Sequence, residues 1–114
     1  MKERIAIVSG LRTPFCKSGG VMHHVDPSDL GACLISELLV RSSISKELID
    51  EVIFGNVMQT ADLANIARII AVKAGLPFKT TGLTVNRNCA SGLESIITGA
   101  NKILLGQGEI FIAG

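Results

Sequence analysis

The hydrophobic pattern of the chain alternates between short apolar runs and longer amphipathic segments. Four short runs, bounded by glycine or polar residues, are typical of strands, and they cover residues 4–9, 52–57, 83–87 and 109–113. Helical spacing appears in the segments between them. Because parallel strands need crossover connections, this alternation predicts an α/β fold with a mostly parallel sheet and crossover helices.

The first helical segment begins with a capping sequence. Asp26 can cap the helix, Pro27 suits its first turn, and the pattern continues to about Arg41. One stripe of this helix contains Leu30, Cys33, Leu34, Leu38 and the basic Arg41. We therefore expect Cys33 to be a core residue. A short helical turn is expected at residues 46–50.

The second helical segment has a predicted start at Asp62 and an end at Ala74, where Gly75 and Pro77 stop the helix. One face of it carries only small residues, namely Ala64, Ala67, Ala71 and Ala74. Tight internal packing is the favoured interpretation of this face, and a subunit or domain contact is the alternative.

The third helical segment begins at about Ala90 and is ended by Gly106. Its apolar residues fall on one side of the helix, and they are Leu93, Ile96, Ile97, Ala100, Ile103 and Leu104. The last predicted strand follows it.

Composition limits the possible functions. The 114 residues are 47% hydrophobic and 18% charged, which suits one modest core and at most one domain. Eleven basic and ten acidic residues give a net charge of +1, so no nucleic-acid partner is expected. The apolar run near the amino terminus is too short for a signal peptide or a membrane span, which predicts a cytoplasmic protein.

Three cysteines, Cys16, Cys33 and Cys89, lack any Cys-x-x-Cys pair. An odd number without such spacing matches neither a disulfide framework nor a zinc site. We expect reduced thiols and no metal site.

Cys89 stands where the third predicted strand turns directly into a helix. A thiol at the amino end of a helix lies among unpaired N–H groups and the positive end of the dipole, which favour the nucleophilic thiolate. The N–H of Cys89 is a candidate oxyanion donor. Chemistry alone leaves a merely buried packing cysteine as an equal alternative.

Residues 86–93, Asn-Arg-Asn-Cys-Ala-Ser-Gly-Leu, resemble the acyl-enzyme signature of thiolases. Other segments resemble the same family along nearly the whole chain, and these are residues 12–15, 49–57, 65–68, 74–77 and 112–114. Cys16 departs from the family pattern, which usually has glycine there.

The resemblance implies a coenzyme-A-dependent acyltransferase of fatty acid metabolism with Cys89 as the catalytic nucleophile. Cys89 would attack a 3-ketoacyl-CoA, release acetyl-CoA and pass the shortened acyl group to free CoA; condensation would use the same acyl-thioester. Coenzyme A and acyl-CoA are then substrates, no bound cofactor is implied, and no residue of this chain is assigned to CoA binding. Full-length thiolases of this type are expected to be homo-oligomers.

The resemblance also implies that the chain is incomplete. The family's activating histidine, second cysteine and asparagine-held water lie in the carboxy-terminal half, and His23 and His24 match none of these roles. We therefore expect residues 1–114 to be a partial thiolase amino-terminal domain, truncated at the carboxy end and inactive alone. A missing carboxy-terminal half or a complementary chain would complete it.

Three alternatives remain. A ketoacyl or hydroxymethylglutaryl synthase shares the fold and the nucleophilic cysteine, but its flanking motifs fit less well. A non-catalytic piece would act through subunit contacts of the alanine face or the segment around Cys89. Nucleotide binding through residues 106–108 is a weak alternative, because the preceding strand, a third glycine and the acidic residue are lacking.

Overall fold

Three parallel strands form the centre of the fold in the computed structural model, which describes residues 3–114. They are β1 (Glu51–Gly55), β2 (Thr81–Val85) and β3 (Phe111–Ala113). β1 lies in the middle, so the order is β2-β1-β3, and Val52 of β1 is in register with a residue of each neighbour. The predicted α/β class with a parallel sheet is confirmed.

Three helices connect and cover these strands: α1 (Pro27–Ser42), α2 (Ile66–Lys73) and α3 (Ser91–Leu104). Short 3-10 turns precede β1 at Lys46–Leu48 and precede α2 at Ala61–Leu63. The predicted sequence of elements is therefore confirmed from the first helix onward.

Helix ends follow the local signals at most positions. The side chain of Asp26 accepts the Ser28 N–H at 2.7 Å, which confirms the predicted start of α1. Gly75 and Gly106 have φ values of 72° and 69°, the left-handed conformation that glycine adopts easily after a helix.

The predicted start of α2 at Asp62 is wrong. Asn65 caps the helix instead: its Oδ1 accepts the Arg68 N–H, and its Nδ2 donates to the Gly82 carbonyl at 3.0 Å. The second bond ties the cap to β2, so tertiary contacts determine the boundary. Asp62 lies in the preceding 3-10 turn.

The strand predicted at residues 4–9 is also absent. This segment pairs with no strand in the described part of the chain, and Ile7 and Val8 are 83% and 74% exposed. Ladder hydrogen bonds and burial stabilise a strand, and residues 4–9 gain neither from residues 3–114.

The three remaining strand predictions need smaller corrections. β1 covers Glu51–Gly55 rather than residues 52–57. β2 ends at Val85, two residues before the predicted end, because the chain enters a tight turn at Asn86. β3 begins at Phe111 rather than at Glu109, because the N–H groups of Glu109 and Ile110 donate to the Asp50 carboxylate.

The core lies on both faces of β1. Val52 and Ile53 are adjacent and both are 0% exposed, so each face of the strand is covered. Val52 belongs to the apolar cluster that includes residues of α1 and α2, whereas Ile53 lies beside Gly99 of α3. Ala67 and Ala71 of α2 are 0% exposed, which confirms internal packing of the alanine face at these positions.

The expectation that Cys33 is a core residue is wrong, because its side chain is exposed. The buried stripe of α1 contains Ser28, Gly31, Ala32 and Ile35. A Cβ on Gly31 would stand 2.5 Å from Cδ1 of Ile70. α2 therefore approaches the small residues of α1 and leaves Cys33 outside the contact.

Small residues also form the buried face of α3. Its buried residues are Ser91, Ser95 and Gly99, and the apolar side predicted from sequence is partly open to solvent, with Leu93 62% exposed. The helices within residues 3–114 are too short or too polar to traverse a lipid bilayer.

Candidate active site

Cys89 lies in the connection between β2 and α3, as the sequence predicts. It follows the last residue of β2, Val85, by four positions and directly precedes Ala90, the N-cap of α3. Its side chain is exposed among the described residues. Within residues 3–114 the thiol is therefore not a buried packing group and is open to reagents.

The turn before Cys89 has a left-handed residue. Asn88 has a φ of 49°, a conformation that asparagine tolerates better than most residues. Oδ1 of Asn86 accepts the Asn88 N–H at 2.9 Å, and this local bond holds the chain in the turn.

The Ser91 hydroxyl closes the turn from the helix side. Its Oγ accepts the Arg87 N–H at 2.8 Å and donates to the Asn88 carbonyl at 2.7 Å. Ser91 is 4% exposed, so water competes weakly for these bonds. Two backbone hydrogen bonds of 3.1 Å complete the turn. The Ala90 N–H donates to the Arg87 carbonyl, and the Ser91 N–H donates to the Asn88 carbonyl.

The start of α3 lies against the carboxyl ends of β1 and β3. Gly55, the last residue of β1, approaches the Ser91 backbone, and Gly114, just after β3, lies near Gly92. The Gly55 N–H donates to the Gly114 carbonyl at 2.7 Å. Ligands of open α/β sheets bind beyond this edge, so Cys89 occupies a suitable position for chemistry.

The electrostatic surroundings come from the helix end and one ion pair. The first-turn N–H groups of Gly92 and Leu93 have no acceptor among residues 3–114. Arg87 forms a salt bridge with Glu94, with 2.7 Å between Nη1 and Oε2. This ion pair is weak because the Arg87 side chain is 67% exposed to solvent. The unpaired N–H groups of the helix end therefore give a fixed positive potential beside the turn.

A comparison with known families decides the assignment of this domain. The family model described as thiolase, N-terminal domain, matches residues 5–114. The chain belongs to the thiolase amino-terminal domain family.

Relatives and solved structures agree with the family. A 3-ketoacyl-CoA thiolase of Yersinia pseudotuberculosis is 45% identical over 112 residues, covering 98% of this chain and 26% of that protein. The crystal structure of a Bacillus anthracis acetyl-CoA acetyltransferase matches 84% of this chain and 24% of its own, with TM-score 0.81 and 38% identity. An Ascaris suum thiolase in complex with coenzyme A matches 82% of this chain and 25% of its own, with TM-score 0.78 and 32% identity. The chain spans about a quarter of the length of these proteins.

Other candidate groups of this thiolase domain are not joined to Cys89. The rings of His23 and His24 lie in an exposed loop with their centroids 3.6 Å apart and their planes tilted by 42°, and no hydrogen bond links either ring to Cys89 within residues 3–114. Cys16 and Cys33 are exposed free thiols. No group of metal-binding side chains occurs in the part of the chain that the structure describes.

Sequence reasoning missed the residues that shape the turn. The contacts of Asn86 and Ser91 do have a local signal, because asparagine and serine beside a strand-to-helix junction often bond the backbone through their side chains. The approach of Gly55 to α3 has no local signal, because Gly55 and Ser91 are distant in sequence.

Proposed function

We propose that Cys89 is the acyl-accepting nucleophile of a thiolase-type acyltransferase. The observation that carries this proposal is an exposed thiol at the start of α3, on the carboxyl edge of a parallel sheet, in a chain of the thiolase amino-terminal domain family. A helix amino end favours the thiolate, and its N–H groups can hold a developing oxyanion. The Cys89 N–H is our candidate donor.

The proposed reaction is a two-step exchange at sulfur. The Cys89 thiolate attacks the 3-keto carbon of a 3-ketoacyl-CoA, the bond between carbons 2 and 3 breaks, and the released acetyl-CoA carbanion takes a proton. The thiol of free CoA then loses its proton, attacks the acyl-thioester and returns the electron pair to the Cys89 sulfur, so that one proton is taken up and one is released in each cycle. Acetyl-CoA condensation is the same sequence in reverse.

We propose CoA thioesters as substrates because the names of the related proteins refer to CoA thioesters or to coenzyme A. A 3-ketoacyl-CoA thiolase and an acetyl-CoA acetyltransferase resemble this chain, and one structural neighbour was solved in complex with coenzyme A. No residue of this chain is assigned to the CoA itself, and the cytoplasmic location remains a prediction.

The proposal includes a requirement for further polypeptide. The relatives are about four times longer than this chain, and no histidine hydrogen-bonds Cys89 within residues 3–114. We propose that residues 1–114 are a partial domain, that a carboxy-terminal half or complementary chain supplies the acid–base groups, and that the complete enzyme is a homo-oligomer. Because groups of one catalytic unit fail together, we expect little turnover from the chain alone.

An interaction role is the second candidate function. The outer side of α3 exposes Leu93, Ile96, Ile97 and Leu104 by 41–62%. Such a side is typical of contact surfaces. This candidate requires no reactivity at Cys89, whereas the acyl-acceptor proposal does.

Complementation tests the proposed function. This chain would replace the corresponding quarter of the Yersinia pseudotuberculosis 3-ketoacyl-CoA thiolase, and thiolysis of acetoacetyl-CoA would be measured. We expect activity that Cys89→Ser abolishes and Cys33→Ser leaves intact. Equal activity in the Cys89→Ser chimera would refute the nucleophile, and a folded but inactive chimera would favour the interaction role.

A further inference from the structure

Ser91 makes contacts that differ from those of an ordinary helix serine. Its Oγ spans the turn that contains Cys89, since it accepts from Arg87 N–H and donates to the Asn88 carbonyl. Both partners precede Cys89 in the chain, whereas Ser91 follows it. One buried hydroxyl therefore fixes the chain on both sides of the thiol.

Ser95 provides the structural comparison. It lies one helical turn further along the same buried face of α3, is 0% exposed, and its Oγ donates only to the Gly92 carbonyl within the helix. The two serines share residue type, helix and burial. They differ in that only Ser91 bonds the turn.

The turn needs such a restraint. Asn88 adopts a left-handed φ of 49°, which is less favourable for a residue with a side chain than the extended or right-handed regions. The bond to the Asn88 carbonyl opposes relaxation of this residue, and the bond from Arg87 N–H fixes the end of the approach from β2. Their loss would free Cys89 to move away from the end of α3.

We propose that Ser91 is a positioning residue that holds Cys89 at the amino end of α3 through its two hydrogen bonds to Arg87 and Asn88. This inference rests on the proposed function, because it assigns Ser91 a role in presenting the nucleophile. Ser91 acts on Cys89 through the backbone of the turn and does not itself contact the acyl group.

The three exposed cysteines allow an internally controlled test. The 114-residue chain would receive a brief pulse of iodoacetamide at neutral pH, and peptide mass spectrometry would give the alkylation rates of Cys16, Cys33 and Cys89. We expect Ser91→Ala to lower the alkylation rate of Cys89 about fivefold. This factor corresponds to losing the usual interaction between a negative charge and the amino end of a helix. In the same Ser91→Ala variant, the alkylation rates of Cys16 and Cys33 should stay at their wild-type values. In Ser95→Ala, the alkylation rates of all three cysteines should stay at their wild-type values.

A separate measurement distinguishes positioning from stability, because all three thiols are already exposed in the folded chain. Far-UV circular dichroism of each variant would detect general unfolding, whereas loss of positioning lowers the Cys89 alkylation rate while the helical signal is kept. Ser91→Thr, which keeps the hydroxyl, should restore the Cys89 rate toward that of the wild type. An unchanged Cys89 alkylation rate in Ser91→Ala, or an equal change in Ser95→Ala, would overturn the inference.

Amide hydrogen exchange of the wild-type chain gives a second measurement that needs no variant. The Arg87 N–H should be protected by its bond to Ser91, in contrast with the Gly92 N–H, which has no acceptor among residues 3–114. Equal exchange of these two amides would contradict the contact itself. If Ser91 controls alkylation but Cys89 forms no acyl adduct with acetoacetyl-CoA even when the chain is supplied with the rest of a thiolase, the positioning stands and the acyl-acceptor function fails.

Discussion

Gly55 and Ser91 are in such close contact that a Cβ on Gly55 would stand 2.5 Å from the carbonyl carbon of Ser91. Real Cβ atoms do not approach backbone this closely, so only glycine fits at the end of β1 with α3 in its present place. The position of the Cys89 turn therefore depends on a residue of the central strand as well as on its own hydrogen bonds.

Gly55→Ala should destabilise the domain by about 1–3 kcal/mol, because the new methyl group overpacks against a backbone that cannot rotate away. Chemical denaturation followed by circular dichroism measures this change. Gly92→Ala is the matched control, since a Cβ there meets only the Gly114 carbonyl carbon at 4.0 Å, and it should stay within about 0.5 kcal/mol of wild type. Equal stability of the two variants would show that the contact is loose.

A buried ion pair should also matter for stability. Glu51 is 8% exposed, its Oε1 accepts the Thr81 hydroxyl, and its Oε2 forms an ion pair with Nζ of Lys102 at 2.5 Å. Lys102→Met leaves this carboxylate without its positive partner, and we expect a loss of roughly 2 kcal/mol or more in the free energy of unfolding.

The pair of Arg41 and Glu37 provides the control for that experiment. It has a similar separation of 2.6 Å, but its side chains are 60% and 48% exposed. Arg41→Met should therefore change the unfolding free energy by less than about 0.5 kcal/mol. If both variants lose the same amount, burial does not determine the strength of the Glu51 pair.

Acid should weaken the attachment of β3. The N–H groups of Glu109 and then Ile110 donate to the Asp50 carboxylate at 2.7 and 3.0 Å and lower the pKa of Asp50. A pKa that is lower in the folded state adds stability above the unfolded pKa, and this stability is lost as pH falls through the folded pKa. Unfolding of the wild type should therefore become easier below about pH 4.

Asp50→Asn isolates this contribution. The variant should be less stable at pH 7 and should show a shallower loss of stability between about pH 4 and pH 2, measured by urea denaturation across that range. The Asp26 carboxylate, whose pKa is lowered first by the Ser28 hydroxyl, remains in both proteins and accounts for residual acid dependence. An unchanged slope in Asp50→Asn would contradict the assignment.

Local signals predicted much of this fold. The Asp26 cap, the terminating Gly75 and Gly106 and the central strand can be read from neighbouring residues, because their physical causes lie within a few positions. The start of α2 at Asn65 could not be predicted from local signals, because hydrogen bonds between the Asn65 side chain and β2 determine where the helix begins. Residues 4–9 have strand-like sequence, but pairing depends on a distant partner.

Some features of the candidate site also have local causes, whereas others depend on tertiary contacts. The strand-to-helix position of Cys89 follows from hydrophobic pattern, and the family follows from the length of the matching motif. The exposure of Cys33 could not be predicted, because the approach of α2 to Gly31 rotates the contact stripe away from it. The role of Gly55 beside Ser91 depends on tertiary contact alone.

The most direct test of the account is the covalent chemistry of Cys89. The 114-residue chain, supplied with the rest of a thiolase, would be incubated briefly with acetoacetyl-CoA, and intact-mass spectrometry would detect an acetyl adduct, with Cys89→Ser and Cys33→Ser as matched variants. The account predicts one acetyl group per chain in the wild type and in Cys33→Ser, and none in Cys89→Ser. An adduct that persists in Cys89→Ser, or its absence from a folded wild-type chain supplied with the rest of a thiolase, would contradict it.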